Sequence, residues 1–87
     1  MQKQRNDFVN TSEILARIRS AIDTAPRNGR SAEFHLQIIK YADELKDLTG
    51  KEFCEGLGIG QSFGTEFAKM KKITKRLKQA NLDVNLI

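Results

Sequence analysis

Enzyme and metal chemistry start from side chains that ligate, attack or move protons, and this chain has few of them. His35 is its single histidine and Cys54 its single cysteine, so His and Cys cannot together supply a zinc site of three or four ligands. His35 lies beside an apolar stripe and reads as a structural or surface residue. Cys54 reads as a packed thiol, since a redox-sensing thiolate needs exposure and a positive neighbour. Asp43, Glu44 and Asp47 read as a solvated face, because nothing else converges on them. Gly56-Leu57-Gly58-Ile59-Gly60 has the composition of a phosphate loop without its context. A dinucleotide fingerprint needs a preceding strand in a βαβ unit, and a P-loop needs Gly-Lys-Ser/Thr at a set spacing. With no nucleophile paired to a base and no ligand set, the chain reads as neither an enzyme nor a cofactor protein.

What remains is charge, and its placement is informative. Residues 1–60 carry nine Lys or Arg against nine Asp or Glu. Residues 61–87 carry Lys69, Lys71, Lys72, Lys75, Arg76 and Lys78 against Glu66 and Asp83, so the whole excess of +4 falls in that last stretch. Such asymmetry suggests a polyanionic partner, the plain alternative being a solvated basic helix face. At 87 residues the chain holds one domain, and Leu, Ile, Val and Phe make up about a quarter of it, enough for a small core. No apolar run approaches the roughly 18 residues of a membrane span, and the polar start Met1-Gln2-Lys3-Gln4-Arg5-Asn6-Asp7 lacks a signal-peptide stretch. The expected location is cytoplasmic, away from membranes.

The apolar spacing predicts an all-α fold, a compact bundle of four or five helices over residues 10–87 behind a flexible N-terminal arm over residues 1–9. Asn10 and Glu13 fit a capping box that starts a helix, and Ile14, Leu15, Ile18, Ala21, Ile22 and Ala25 share one of its faces. Pro26 and Gly29 end it. Ser31 is the expected cap of a second helix with the stripe Phe34, Ile38, Ala42, Leu45 and Leu48. Thr49 and Glu52 form another capping box, ahead of a short helix through Phe53, Cys54 and Leu57 that Gly58 stops. The last helix runs from Ser62 to about Gln79. At 100° per residue Phe63, Phe67, Met70, Ile73, Thr74 and Leu77 share its apolar face, while Thr65, Lys69, Lys72, Lys75 and Arg76 fall on the other side. Beyond Asn81, Leu82, Val84 and Leu86 alternate with Asp83 and Asn85, a short C-terminal extended segment and the only strand candidate. The predicted core joins Ile14, Ile18, Ile22, Phe34, Ile38, Leu45, Phe53, Leu57, Ile59, Phe67, Met70 and Leu77.

The glycines that fail as a phosphate loop suit a helix-turn-helix. There a short helix ends at a Gly of positive φ, the next apolar residue plugs the core, and a second helix leaves at a steep angle. Phe53 and Cys54 supply the buried positions, Gly58 the turn, Ile59 the plug and Phe67 an anchor eight residues on. The run Lys51-Glu52-Phe53-Cys54-Glu55-Gly56-Leu57-Gly58-Ile59-Gly60 resembles helix-turn-helix DNA-binding domains. Through Ala25-Pro26-Arg27-Asn28-Gly29-Arg30, Lys40-Tyr41-Ala42-Asp43-Glu44-Leu45 and Phe63-Gly64-Thr65-Glu66-Phe67-Ala68-Lys69-Met70, residues 12–87 are similar to small bacterial proteins with a helix-turn-helix-like domain, predicted transcription factors. One position departs from the general motif: five after the plug stands Gly64 in place of a branched apolar residue, which here is Phe63.

The resemblance implies a transcriptional regulator that inserts the basic helix of about residues 62–79 into the major groove of double-stranded DNA. On that reading Gln61, Ser62, Thr65 and Lys69 read bases, and Lys71, Lys72, Lys75 and Arg76 hold phosphates. A homodimer spanning two half-sites is expected, joined through Leu82–Ile87 or apolar residues of the first helix. A reading from another class is a small protein-interaction module, an antitoxin or adaptor, whose basic helix meets an acidic partner.

Overall fold

Thr49 and Glu52 show most directly how local chemistry draws an element in this chain. The Glu52 amide donates to Thr49 Oγ1 at 3.1 Å and the Thr49 amide donates to Glu52 Oε1 at 2.9 Å, so two N–H groups left over at a helix start satisfy each other's side chains. The computed structural model describes the backbone of residues 2–87 and side chains from residue 11 onward. It contains four α-helices: α1 Gln2–Thr24, α2 Arg30–Lys40, α3 Gly50–Leu57, started by that box, and α4 Gly64–Gln79. Short 3-10 turns occupy Arg27–Gly29, Gln61–Phe63 and Val84–Leu86, and no strand occurs among the described residues. The fold is all-α.

Several boundaries differ from the sequence expectation, among them the start of α4, which is Gly64 rather than Ser62 because Gln61–Phe63 forms a 3-10 turn. α1 is continuous from Gln2, so Asn10 and Glu13 lie inside a helix, where a preceding turn already supplies carbonyls and a capping pair has no orphan N–H to serve. The arm expected over residues 1–9 concerns Met1 and side chains that lie outside the described residues. α2 is capped by Gly29 rather than Ser31 and stops at Lys40 rather than Leu48. From Tyr41 to Asp47 the chain proceeds in successive turns, with Ala42 N–H bonded to Ile39 O, Leu45 N–H to Tyr41 O and Leu48 N–H to Leu45 O. These turns advance nearly as a helix does, so Ala42 and Leu45 stay in the expected stripe and are buried. The C-terminal segment is a 3-10 turn against α2 rather than an extended strand. Its cause is Asp83, whose carboxylate accepts the Asn85 amide at 2.9 Å and draws the backbone into a turn.

α2 and α3 lie between α1 on one side and α4 on the other, and α1 and α4 do not meet among the described residues. The core between these layers joins Ile14 and Ile18 of α1, Phe34 and Ile38 of α2, Leu45, the α3 residues Phe53, Cys54 and Leu57, and Phe67 of α4. Phe53 and Phe67 stack with centroids 4.1 Å apart. Ile22, Ile59 and Met70 pack half-buried against this cluster, and Leu77, expected among the core residues, is half-buried. The Cys54 side chain is wholly enclosed, and burial pushes its thiol pKa up.

Candidate nucleic-acid interface

The turn between α3 and α4 is built by glycines with distinct tasks. Gly58 adopts φ +74°, ψ +35°, the left-handed region open to Gly at little cost. It lets the Ile59 amide reach Cys54 O at 3.0 Å while its own amide reaches Glu55 O at 3.2 Å, the paired bonds that close a helix and fold the next apolar side chain back onto it. Gly60 is extended and redirects the chain into Gln61–Phe63 and then α4. Gly50 and Gly64, which open α3 and α4, face each other backbone to backbone. A Cβ on Gly50 would lie 3.1 Å from Gly64 Cα, and one on Gly64 would lie 3.5 Å from Gly50 Cα. The tighter constraint falls on Gly50, since a Cβ on Gly64 would meet α3 only at ordinary contact distance.

α4 buries one side and presents the other. Phe67 and Thr74, seven residues apart, define the buried side at 1% and 2% exposure, with the Thr74 hydroxyl satisfied by Met70 O at 2.7 Å. Ile73, expected on the apolar face, is 43% exposed because the buried face is centred closer to Phe67 than the sequence pattern suggests, and Phe63, also expected there, is 45% exposed and lies in the 3-10 turn ahead of α4. On the outward side Thr65, Lys69, Lys72 and Arg76 fall within about 60° of one another at 100° per residue, with Lys75 on the flank. All five are exposed, as are Gln61 and Ser62 in the turn that leads into α4.

A two-helix unit joined by a left-handed glycine turn, with a basic outward helix behind it, is the arrangement that a helix-turn-helix requires. The family model described as an HTH-like domain matches residues 10–80. The chain belongs to the HTH-like domain family. No curated protein and no solved structure matches it.

Within this HTH-like domain the expected site residues separate into two groups. Lys72, Lys75 and Arg76 have no ion-pair partner among the described residues. Lys69 lies 3.6 Å from Glu66, whose other oxygen is 3.0 Å from His35 Nε2, so α2 and α4 meet through a shared carboxylate. Lys71, expected to bind phosphate, has another task. Its ammonium lies 4.5 Å from the Phe67 ring centroid and donates to Leu45 O, Lys46 O and Leu48 O at 3.3–3.4 Å, holding the turns that follow α2. Lys78 likewise pairs with Asp43 across to those turns. Sequence reasoning assigned neither role, yet Lys71 and Lys78 fall about 40° and 20° from Phe67, where long side chains lie along apolar surface and send their charge to the rim. Arg19 was also overlooked: it donates to Leu57 O at 3.2 Å, closing a free carbonyl at the end of α3. Among the described residues no three His, Cys, Asp or Glu side chains could together hold a metal ion, and no helix is long and apolar enough to cross a membrane.

Proposed function

We propose that this HTH-like domain is a DNA-binding transcriptional regulator that places the start of α4 in the major groove. The observation that carries the reading is the outward face of α4, where Lys72, Lys75 and Arg76 stand exposed, with no ion-pair partner among the described residues, on the helix that follows the glycine turn. Gln61, Ser62 and Thr65 occupy its leading end, where a recognition helix enters deepest, and offer amide and hydroxyl groups to base edges. Lys69, one turn on, reaches a base by leaving Glu66. Lys72, Lys75 and Arg76 rise toward the backbone and hold phosphates. Lys71 is not part of the interface, because its ammonium is engaged by three carbonyls.

The test is selection of bound sequences from a pool of random duplexes, followed by affinity measurements against salt. Three phosphate contacts give a slope of about −3 in log affinity against log salt per chain. Alanine at Thr65 or Lys69 changes the preferred sequence, at about 1–3 kcal/mol for a good base contact. A flat salt dependence, or equal affinity for every duplex, rejects this reading in favour of a basic helix that meets an acidic protein.

A further inference from the structure

A groove separate from the outward face of α4 opens where α1, α2 and the glycine turn meet. It is open to solvent along one side and has a volume of about 400 Å³, within the range of small-molecule sites. Its walls are Ile22 of α1, Phe34 of α2, Ile59 of the turn and Phe63 just ahead of α4. Phe63 keeps 45% of its surface exposed and meets the Phe34 ring edge-on, with centroids 5.6 Å apart. The polar residues lining the groove are Arg19, Arg30 and Ser31, and no carboxylate among the described residues lines it. Arg19 is engaged by Asp23 and Leu57 O, whereas Arg30 has no ion-pair partner among the described residues. An apolar slot with two ring walls and one uncommitted guanidinium is complementary to a flat apolar body that carries a single negative charge.

We infer that this groove binds a small aromatic carboxylate, its ring against Phe34 and Phe63 and its carboxylate on Arg30, and that occupancy regulates the base-reading end of α4. The coupling is positional. Phe63 closes the 3-10 turn Gln61–Phe63 and directly precedes Gly64, the first residue of α4. A ring seated on Phe63 therefore orients the turn that carries Gln61 and Ser62, and a ligand bound unequally to the two orientations shifts DNA affinity by that difference. The regulatory half of the inference rests on the DNA-binding reading; the binding half does not.

The experiment titrates the full chain, without DNA, with 1-naphthylacetate and with the uncharged 1-naphthylacetamide, following backbone amides by NMR. The acid is expected to give saturable shifts centred on Ile22, Phe34, Ile59 and Phe63 and to bind at least tenfold more tightly than the amide. Arg30→Gln is expected to remove that tenfold preference while leaving amide binding and the melting temperature unchanged. Should that variant melt early, Ser31→Leu, which narrows the slot from the exposed start of α2, is expected to weaken acid and amide together. Equal affinity for acid and amide, shifts centred elsewhere, or no saturation at millimolar acid overturns the proposal, as does a groove that accepts only an aromatic-anchored acidic peptide. A second arm repeats duplex binding with saturating acid, where at least a threefold change is expected. An unchanged affinity overturns the regulatory half, and a chain that binds no duplex at all rejects the DNA reading while the NMR result stands.

Discussion

Lys71 and Lys72 are neighbours in the chain with different surroundings, and the contrast shows how little a residue's type says about its task. Lys71 donates to three carbonyls of the turns after α2, whereas Lys72 stands in solvent. Lys71→Ala is expected to cost about 1–2 kcal/mol in urea denaturation, since hydrogen bonds from a charged donor to three backbone carbonyls are lost. Lys72→Gln should leave stability within about 0.5 kcal/mol and reduce the salt slope of DNA binding by about 1. Cys54 supplies a pH signature. Its folded pKa is raised above the ordinary value of 9.0 because burial disfavours the thiolate. The native state thus holds the proton more tightly than the unfolded chain, so the contribution is fully present below that ordinary value and is lost as pH rises through the folded value. Denaturation of wild type and Cys54→Ala across alkaline pH should show the two stabilities converging as pH rises, and alkylation of the native thiol should be slow.

At the level of elements, stability depends on how α4 meets α3. Phe67 lies at 1% exposure and stacks on Phe53, so Phe67→Ala is expected to cost about 3–5 kcal/mol by thermal or urea unfolding. The glycine pair at the helix starts makes a directional prediction. In Gly50→Ala the new methyl meets Gly64 Cα at 3.1 Å and Gly64 O at 3.3 Å, backbone atoms that cannot rotate away, and a loss of about 1–3 kcal/mol is expected. In Gly64→Ala the closest approach is 3.5 Å, ordinary contact, and the gain of up to about 1 kcal/mol in helix preference makes it neutral or stabilising. If Gly64→Ala proves the more damaging of the two, the geometry of this crossing is wrong. The capping box at Thr49 was legible because both partners lie within one turn. The end of α2 was not, because the stripe Phe34, Ile38, Ala42, Leu45 runs on through residues whose backbone has left the helix.

For the whole molecule, the uneven charge becomes meaningful once the folded chain sorts it. Of the six cations after residue 60, Lys71 and Lys78 bind back onto the turns after α2 and Lys69 onto Glu66. Lys72, Lys75 and Arg76 remain, a modest electrostatic footprint for one small chain. Two copies on adjacent half-sites would double it, and sedimentation with the selected duplex is expected to show two chains per site. Only monomer, with and without DNA, would remove the dimer.

The sequence by itself determined the helix class, the third helix and its cap, the left-handed turn at Gly58 and most of the buried positions, because each depends on spacing or on partners a few residues apart. The tertiary structure decided what depends on groups far apart in the chain. The close approach that constrains Gly50 appears only when the fold sets it beside Gly64. Ile73 falls on the apolar face of α4 in the sequence pattern, and only the packing of α4 on α2 and α3 sets the rotation that exposes it, while Phe63 of the same pattern lies outside the helix in the turn before it. Lys71 read as a phosphate ligand because a lysine on a basic helix shows its charge in the sequence and not the carbonyls, more than twenty residues back, that the fold brings to its ammonium.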